Sequence, residues 1–221
     1  MNLALTIACC IGAVGFIAAE YGQARVGRVI AKLVASGAFV ILGIHALPAT
    51  PIYASFAHWI AIGLVLGAIG DVALLGESTP AFMSGLVAFL LGHISYVVAV
   101  AQLAPPQYWP AFGGIAVVVP IIAAVIALWW LWPHLGALRI AVIAYVIAIV
   151  LMVIAAIAIG HSELLPAPQR TYFLVGAVLF FISDLSVARN RFIEKTVRNL
   201  AWGIPAYFAG QLLIAWAIVS L

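Results

Sequence analysis

Two aspartates lie inside long apolar stretches of the sequence, where charged side chains are rare. Asp71 follows a glycine and Asp184 follows a serine, and each precedes a short polar turn. A charge within a membrane-spanning helix is energetically costly, so such a residue normally faces other helices and has a function. Two carboxylates that share one site do not both ionise easily, so one can keep a proton and act as an acid. The pair therefore indicates acid–base chemistry, and a structural ion pair with Lys32 or Arg191 is the alternative.

Lys32 and His93 are further ionisable side chains within these stretches. Lys32 lies four residues after Arg28, which is about 6 Å deeper along a helix, whereas His93 lies near the middle of its stretch. Lys32 either belongs to the site or extends its amine to the membrane surface, and His93 either belongs to the site or forms a hydrogen bond between helices. Other polar side chains recur at helical spacing: Tyr96, Tyr145, Tyr207 and Gln211. This spacing is compatible with one polar pocket but does not by itself show that the helices converge.

Neither a metal centre nor a serine nucleophile is expected. The other histidines lie at the ends of apolar stretches, and no His-x-x-x-His pair or cysteine cluster accompanies His93. The two cysteines, Cys9 and Cys10, are adjacent and sit in an apolar run, where they are expected to pack as small apolar residues. No Gly-x-Ser-x-Gly motif occurs. We therefore expect no metal and no cofactor.

The elements that hold these residues are apolar and long. Of the 221 residues 67% are hydrophobic and 7% charged, against about 25% charged in soluble domains. A helix needs about 20 apolar residues to cross a bilayer, and the runs are too long and lack the alternation of β-strands. The sequence predicts a single all-α integral membrane domain over 1–221, a bundle of about eight transmembrane helices near 3–19, 29–47, 56–75, 81–103, 111–132, 139–160, 170–188 and 200–220.

The placement of positive charge predicts the orientation. Apart from Lys32, every Lys and Arg lies in or beside an odd-numbered loop except Arg170. Cytoplasmic loops collect positive charge, so both termini are expected outside, with the odd loops in the cytoplasm. Short loops and the lack of a targeting signal favour a bacterial inner membrane. The net charge of +3 is too small to favour a nucleic-acid partner, and the oligomeric state is left open.

Two internal patterns concern the aspartates. Gly63, Gly67 and Asp71 repeat every four residues, so a neighbouring helix is expected to approach closely beside Asp71. Gly70-Asp71 and Ser183-Asp184 end the third and seventh predicted spans, which run in the same direction. That correspondence suggests a parallel repeat of four spans plus four.

Five segments, taken in order, carry a family resemblance: GDVAL at 70–74, FMSGLVAF at 82–89, GHISY at 92–96, GAVLFFISD at 176–184 with Arg191-Phe192 after it, and YFAGQLLI at 207–214. Together they resemble the YhhN-type lysoplasmalogenase family, and Lys32 stands where that family has a lysine. Two departures are Leu33, where the family usually has proline, and Gly210, where alanine is expected.

The resemblance implies a membrane hydrolase of lysophospholipids that carry an sn-1 vinyl ether. The products would be a fatty aldehyde and glycerophospho-ethanolamine or glycerophospho-choline, without a metal. Protonation of a vinyl ether gives an oxocarbenium ion that water captures, as in glycoside hydrolysis. On this hypothesis Asp71 and Asp184 are catalytic, and the expected substrate-binding residues are Lys32, His93, Tyr96, Tyr145, Arg191, Tyr207 and Gln211.

Two other classes of function fit the same buried residues. Intramembrane aspartate, lysine and histidine also form proton relays in transporters, for which a repeat is typical. A non-catalytic lipid-binding membrane protein would need the same pocket and show no turnover.

Overall fold

The fold is entirely helical wherever it is described. The computed structural model describes residues 1–48 and 51–221, and it has no strand in those two ranges. The helices are α1 Asn2–Tyr21, α2 Arg25–His45, α3 Pro51–Ala73, α4 Thr79–Leu103, α5 Trp109–Gly113, α6 Val118–Leu131, α7 Arg139–Gly160, α8 Ala167–Phe192 and α9 Val197–Trp216. The predicted all-α membrane bundle is confirmed.

Seven helical segments within residues 1–48 and 51–221 are long and apolar enough to cross a membrane. They are α1 to α4, the segment Pro106–His134, the segment Gly136–Gly160, and α8. The chain is therefore a multi-pass membrane protein. Helix α9 has 20 residues and corresponds to the eighth predicted span, but it is not one of the seven. It includes polar residues such as Arg198, Asn199 and Gln211, yet it packs against α8, α1 and α2 within the bundle. Its passage across the bilayer stays a prediction.

The fifth predicted span is not one regular helix. Helix α5 ends at Gly113, a 3-10 turn occupies Gly114–Val117, and α6 covers only Val118–Leu131. Gly114 and Gly136, on either side of α6, have φ angles of 53° and 51°, which glycine adopts without the strain that a side chain brings. Helix α6 is thus delimited at both ends by left-handed glycines.

The chain departs from the family pattern at two positions, and the structure accommodates both. Helix α2 runs unbroken from Arg25 to His45, so Leu33 after Lys32 does not interrupt it. At Gly210 a Cβ atom would lie 2.9 Å from the carbonyl oxygen of Gly176. Glycine therefore permits the close packing of α8 against α9, which brings the segments around Asp184 and Tyr207 together.

Polar contacts show which ends of the helices meet. Nε1 of Trp216 donates to Oγ1 of Thr6 at 3.1 Å, so both chain termini lie at one end of the bundle. At the opposite end Lys195 Nζ is 3.2 Å from Glu77 Oε1, which joins the loops that follow α3 and α8. We call this second end, with the loops 22–24, 74–78 and 193–196, the charged end. It is where the sequence concentrates Lys and Arg, as predicted.

Candidate active site

Asp71 lies in a closed cluster of donors from α2 and α9. Nζ of Lys32 is 3.2 Å from its Oδ1, while the hydroxyls of Ser36 and Tyr207 donate to its Oδ2 at 2.6 Å and 2.8 Å. Lys32 and Ser36 share one face of α2 because they are four residues apart. Both members of the ion pair are buried. The amine of Lys32 therefore points to the carboxylate of Asp71 and does not extend to the membrane surface.

A chain of hydrogen bonds continues from Asp71 towards the middle of the bundle. The hydroxyl of Tyr96 donates to Oε1 of Gln211 at 2.7 Å, and Nε2 of Gln211 donates to the hydroxyl of Tyr207 at 3.3 Å. Every donor in this chain is directed towards Asp71, so the cluster is organised around a negative charge. The predicted residues Tyr96 and Gln211 thus support Tyr207 from behind.

The glycines on α3 make this arrangement possible. A Cβ atom at Gly67 would overlap Nε2 of Gln211, and one at Gly63 would overlap the ring of Tyr96. The predicted close approach beside Asp71 is confirmed, and the partners are side chains of α4 and α9.

Asp184 lies in a second cluster, built by α4, α7 and α8. The Tyr145 hydroxyl donates to its Oδ2 at 3.0 Å, and Nε2 of His93 lies 3.0 Å from the Tyr145 oxygen and 3.5 Å from Oδ2. In the part of the chain that the structure describes, neither Oδ1 of Asp184 nor Nδ1 of His93 has a hydrogen-bond partner, and only Nδ1 is sealed from the surroundings.

Aromatic rings separate the two clusters. The ring of Phe180 packs edge-on against His93 at a centroid distance of 4.6 Å and against Tyr207 at 5.3 Å. Among residues 1–48 and 51–221 no hydrogen bond or ion pair joins Asp71 to Asp184. The aspartates therefore do not share a proton directly, and the expectation of one continuous polar pocket was too simple. Spacing along a helix could not reveal the ring between them.

Both aspartates nevertheless line one cavity of about 110 Å³ near the charged end. Lys32, Tyr145 and Tyr207 line it as well. The rest of its wall is mostly apolar and comes from α4, α6, α7, α8 and α9, with side chains such as Phe82, Leu86, Leu131, Val146, Ile149 and Ile204. A polar end and an apolar wall suit an amphiphilic ligand.

Four of the predicted site residues do not line the cavity. Tyr96 and Gln211 lie behind Tyr207, and His93 lies behind Tyr145. Arg191 is half-buried at the charged end, where its guanidinium stacks 4.6 Å from the centre of the Phe82 ring.

Arg191 has no contact with Asp184, which it was proposed to neutralise. Its Nη2 instead donates to Thr79 at 3.0 Å. Of the two ion pairs considered as the alternative, the structure contains the one between Asp71 and Lys32 and not the one between Asp184 and Arg191.

Sequence reasoning missed Ser36 and Phe180. The position of Ser36 one helical turn after Lys32 was a usable signal, whereas nothing in the sequence marks Phe180 among the many apolar residues of α8. Within the two described ranges no group of three or more His, Cys, Asp or Glu side chains is placed to hold a metal ion.

The fold and the site define a class: a multi-pass helical membrane protein with an amphiphilic cavity and two carboxyl groups of different surroundings. A family model described as the YhhN family matches residues 27–218. The chain belongs to the YhhN family.

Similar proteins carry related names. The chain is 37% identical to the lysoplasmalogenase of Mycobacterium bovis over 71% of its own length and 59% of the relative's. It is 31% identical to the bovine lysoplasmalogenase TMEM86A over 72% of its length and 64% of the relative's. The chain thus spans less than two thirds of the length of these relatives. No solved structure matches it significantly.

Proposed function

We propose that this protein hydrolyses the sn-1 vinyl ether of lysoplasmalogens, releasing a fatty aldehyde and glycerophospho-ethanolamine or glycerophospho-choline. The observation that carries the proposal is a cavity with a mostly apolar wall that two carboxyl groups line at its polar end. The family membership and the names of its relatives support the same reaction.

The chemistry requires an acid and an anion. Transfer of a proton to the β-carbon of the vinyl ether uses the π electrons to form a C–H bond and leaves an oxocarbenium ion. Water then adds to the cationic carbon and loses a proton, and the resulting hemiacetal breaks its bond to the glycerol oxygen. Asp71 and Asp184 are the proposed catalytic residues, since one carboxylic acid and one carboxylate perform the equivalent steps on glycosides.

The surroundings of the cavity suit the two ends of a lysolipid. The apolar side chains of α6, α7 and α8 offer a wall for the alkenyl chain. Arg191 lies at the charged end, held over Phe82, which itself lines the cavity. We assign Arg191 to the phosphate of the head group, because a guanidinium binds phosphate oxygens with two parallel hydrogen bonds.

A substrate of this kind reaches the cavity from within the membrane. Helix α6 lines the cavity with Ala124 and Leu131 but leaves most of its surface exposed, including Val125, Ile126 and Trp129. We place the charged end at the cytoplasmic face of a bacterial inner membrane and both termini outside, because cytoplasmic loops collect positive charge. The lysolipid would then enter sideways from the inner leaflet.

Proton-coupled transport fits the geometry less well. The hydrogen-bond chain that leads away from Asp71 passes through the amide of Gln211. An amide donates and accepts hydrogen bonds but does not readily take up and release a proton, so this chain is a poor proton path across the bundle.

Product analysis with purified protein tests the proposal. We expect fatty aldehyde from a vinyl-ether lysolipid and none from the saturated alkyl-ether analogue, which cannot form the oxocarbenium ion by protonation. Binding of both lipids without turnover would support a lipid-binding protein instead. Equal cleavage of both would contradict vinyl-ether chemistry.

A further inference from the structure

The imidazole of His93 is fully buried and uses only one of its two nitrogen atoms. Nε2 is 3.0 Å from the Tyr145 hydroxyl oxygen, whereas Nδ1 has no partner among the residues that the structure describes. A hydrogen on Nδ1 would be a buried donor without an acceptor, which is unfavourable. The ring hydrogen therefore belongs on Nε2, and from there it is donated to the oxygen of Tyr145.

This donation fixes the direction of the next hydrogen bond. Because the Tyr145 oxygen accepts from His93, its own hydrogen is directed to Oδ2 of Asp184, 3.0 Å away. Oδ2 is then occupied as an acceptor. When Asp184 is protonated, its hydrogen consequently belongs on Oδ1, the oxygen that has no protein partner in the described ranges and is not sealed off. A carboxyl oxygen in this position can approach a ligand in the cavity.

Asp71 has no comparable free oxygen. Lys32 occupies Oδ1, and Ser36 and Tyr207 both donate to Oδ2. A proton on Oδ1 would displace the charged ammonium of Lys32, and one on Oδ2 would compete with two hydroxyl donors. Of these two hydroxyls, that of Tyr207 also lies 3.3 Å from the carbonyl oxygen of Gly67. Its side chain is 4% exposed, against 18% for Asp184. Asp71 is therefore suited to remain a carboxylate and unsuited to deliver a proton.

Resting on the proposed hydrolase function, we infer that Asp184 is the proton donor, that Asp71 is the permanent carboxylate, and that His93 is a positioning residue acting through Tyr145. The proton leaves Oδ1 of Asp184 for the β-carbon of the vinyl ether. The water that adds to the oxocarbenium carbon returns a proton to Oδ1. The hydroxyl proton of the hemiacetal finally passes to the departing glycerol oxygen, so the protein ends as it began.

Substitutions at His93 and Tyr145 test the positioning role. Gln at position 93 can place an amide N–H near the position of Nε2, so His93→Gln should keep turnover within about threefold of the wild type. His93→Phe and Tyr145→Phe should each lower kcat by roughly ten- to a hundredfold, with KM little changed. Tyr145 donates to the carboxylate that forms as Asp184 gives up its proton, and His93 directs that donation. The double Phe variant should be no worse than either single one, because both changes interrupt the same unit.

A pH series separates the roles of the two aspartates. The ionisable groups at or behind the cavity are Lys32, Asp71, Asp184, Tyr207, Tyr145 and His93. Because the donor must be protonated, kcat should fall as the pH rises. Asp71→Asn should keep this decline in its residual activity, and Asp184→Asn should lose it.

Three results would overturn the inference while the wild type remains active. His93→Gln could be as impaired as His93→Phe, the double variant could show the product of the two single losses, or the pH decline could vanish in Asp71→Asn and persist in Asp184→Asn. Thermal unfolding of each variant identifies those that fail to fold. If the His93 variants fail to fold, Tyr145→Phe and the two Asp→Asn variants still test the inference. An inactive wild type would instead refute the proposed function.

Discussion

Asp71 and Asp184 occupy corresponding places in the two halves of the bundle but have different neighbours. Asp71 on α3 is bonded by Lys32 of α2 and Tyr207 of α9. Asp184 on α8 is bonded by Tyr145 of α7 and approached by His93 of α4. The helices that supply the partners correspond to each other four predicted spans apart, α2 to α7 and α4 to α9. This correspondence supports the suggested four-plus-four repeat.

The difference lies in what the partners are. A lysine beside Asp71 supplies a full positive charge, whereas Asp184 has a tyrosine hydroxyl and an imidazole. One framework thus holds a carboxylate that is neutralised by an ion pair and a carboxyl that keeps one oxygen for the cavity. The role that we propose for each aspartate thus follows from the residues at two corresponding positions, Lys32 against Tyr145 and Tyr207 against His93.

Removal of the proposed proton donor should have the largest effect on turnover. Asp184→Asn keeps the shape and the hydrogen bond from Tyr145, but it cannot donate a carboxylic proton. We expect it to fold, bind lysolipid and lose about 10²–10⁴-fold in turnover, the usual contribution of general acid catalysis. Aldehyde release by the purified variant measures this. Near-normal turnover in folded protein would remove Asp184 from the mechanism.

Asp71→Asn should differ from Asp184→Asn by also lowering stability. It leaves the buried ammonium group of Lys32 without its counter-ion, and breaking a buried pair typically costs about 3–5 kcal/mol. Thermal unfolding should therefore shift down in Asp71→Asn and hardly at all in Asp184→Asn. Addition of Lys32→Met to Asp71→Asn should restore part of the stability, because the unpaired charge is then gone.

The turnover of the variants with both aspartates changed tests whether the two act together. The Asp71→Asn, Asp184→Asn double variant should be little slower than the slower single variant, as members of one catalytic unit are strongly non-additive. Multiplication of the two single losses would indicate that Asp71 acts separately from the proton transfer.

Lys32→Met alone should lower turnover and should destabilise the protein less than Asp71→Asn does. The buried carboxylate of Asp71 loses its counter-ion but keeps the hydroxyl donors Ser36 and Tyr207, which compensate part of its charge, so the protein should still fold. We expect roughly a ten- to hundredfold loss of turnover, because a hydrogen bond to a charged group is worth about 1.5–3 kcal/mol. Unchanged turnover together with unchanged thermal stability would show that the pair with Asp71 has no role.

A smaller effect is expected where α3 packs against Gln211. Gly67→Ala places a methyl group on Nε2 of Gln211, so it should disturb Tyr207 and destabilise the protein by about 1–3 kcal/mol. Gly37→Ala on α2 is the matched control, because a Cβ at Gly37 meets no atom within 4 Å. Thermal unfolding of the two variants compares them, and equal midpoints would contradict the packing described here.

The exposed pair of Glu77 and Lys195 should matter least. The hydrogen bond and charge of Lys195 lower the pKa of Glu77. The pair therefore favours the folded state above the pKa that Glu77 has in the unfolded chain, and this contribution disappears as the pH falls through the lower folded value. Glu77→Gln should leave turnover at neutral pH unchanged, and its small effect on unfolding should vanish in acid. A marked loss of turnover would place this end of the bundle in the mechanism.

Much of this site was predictable from the types and positions of its residues. An aspartate within an apolar helix must find partners, so Asp71 and Asp184 were identifiable from their positions inside long apolar stretches. The stretch around Gly63 and Gly67 likewise indicated a close helix approach. Seven spans among the described residues followed from run length, whereas the passage of α9 across the bilayer stays a prediction. The break at Gly114 escaped, because a φ angle of 53° is not visible in a glycine-containing apolar run.

The pairing between helices was not predictable. Helical spacing places residues on a face of their own helix, but it does not state which helix that face meets. The assignment of Lys32 to Asp71, of Tyr145 to Asp184, and of Phe180 between them depends on contacts between segments far apart in the chain. The different roles that we propose for two chemically identical aspartates depend on those contacts alone.

Deuterium incorporation during turnover tests the central claim, which is proton transfer to the β-carbon of a vinyl ether. The purified protein is given the vinyl-ether lysolipid in D₂O, and the aldehyde is trapped at once and analysed by mass spectrometry beside a protein-free control. We expect one deuterium on the carbon next to the carbonyl of the aldehyde. The rate at which this deuterated aldehyde forms should fall sharply in Asp184→Asn. Enzymatic aldehyde without that deuterium would contradict the claim.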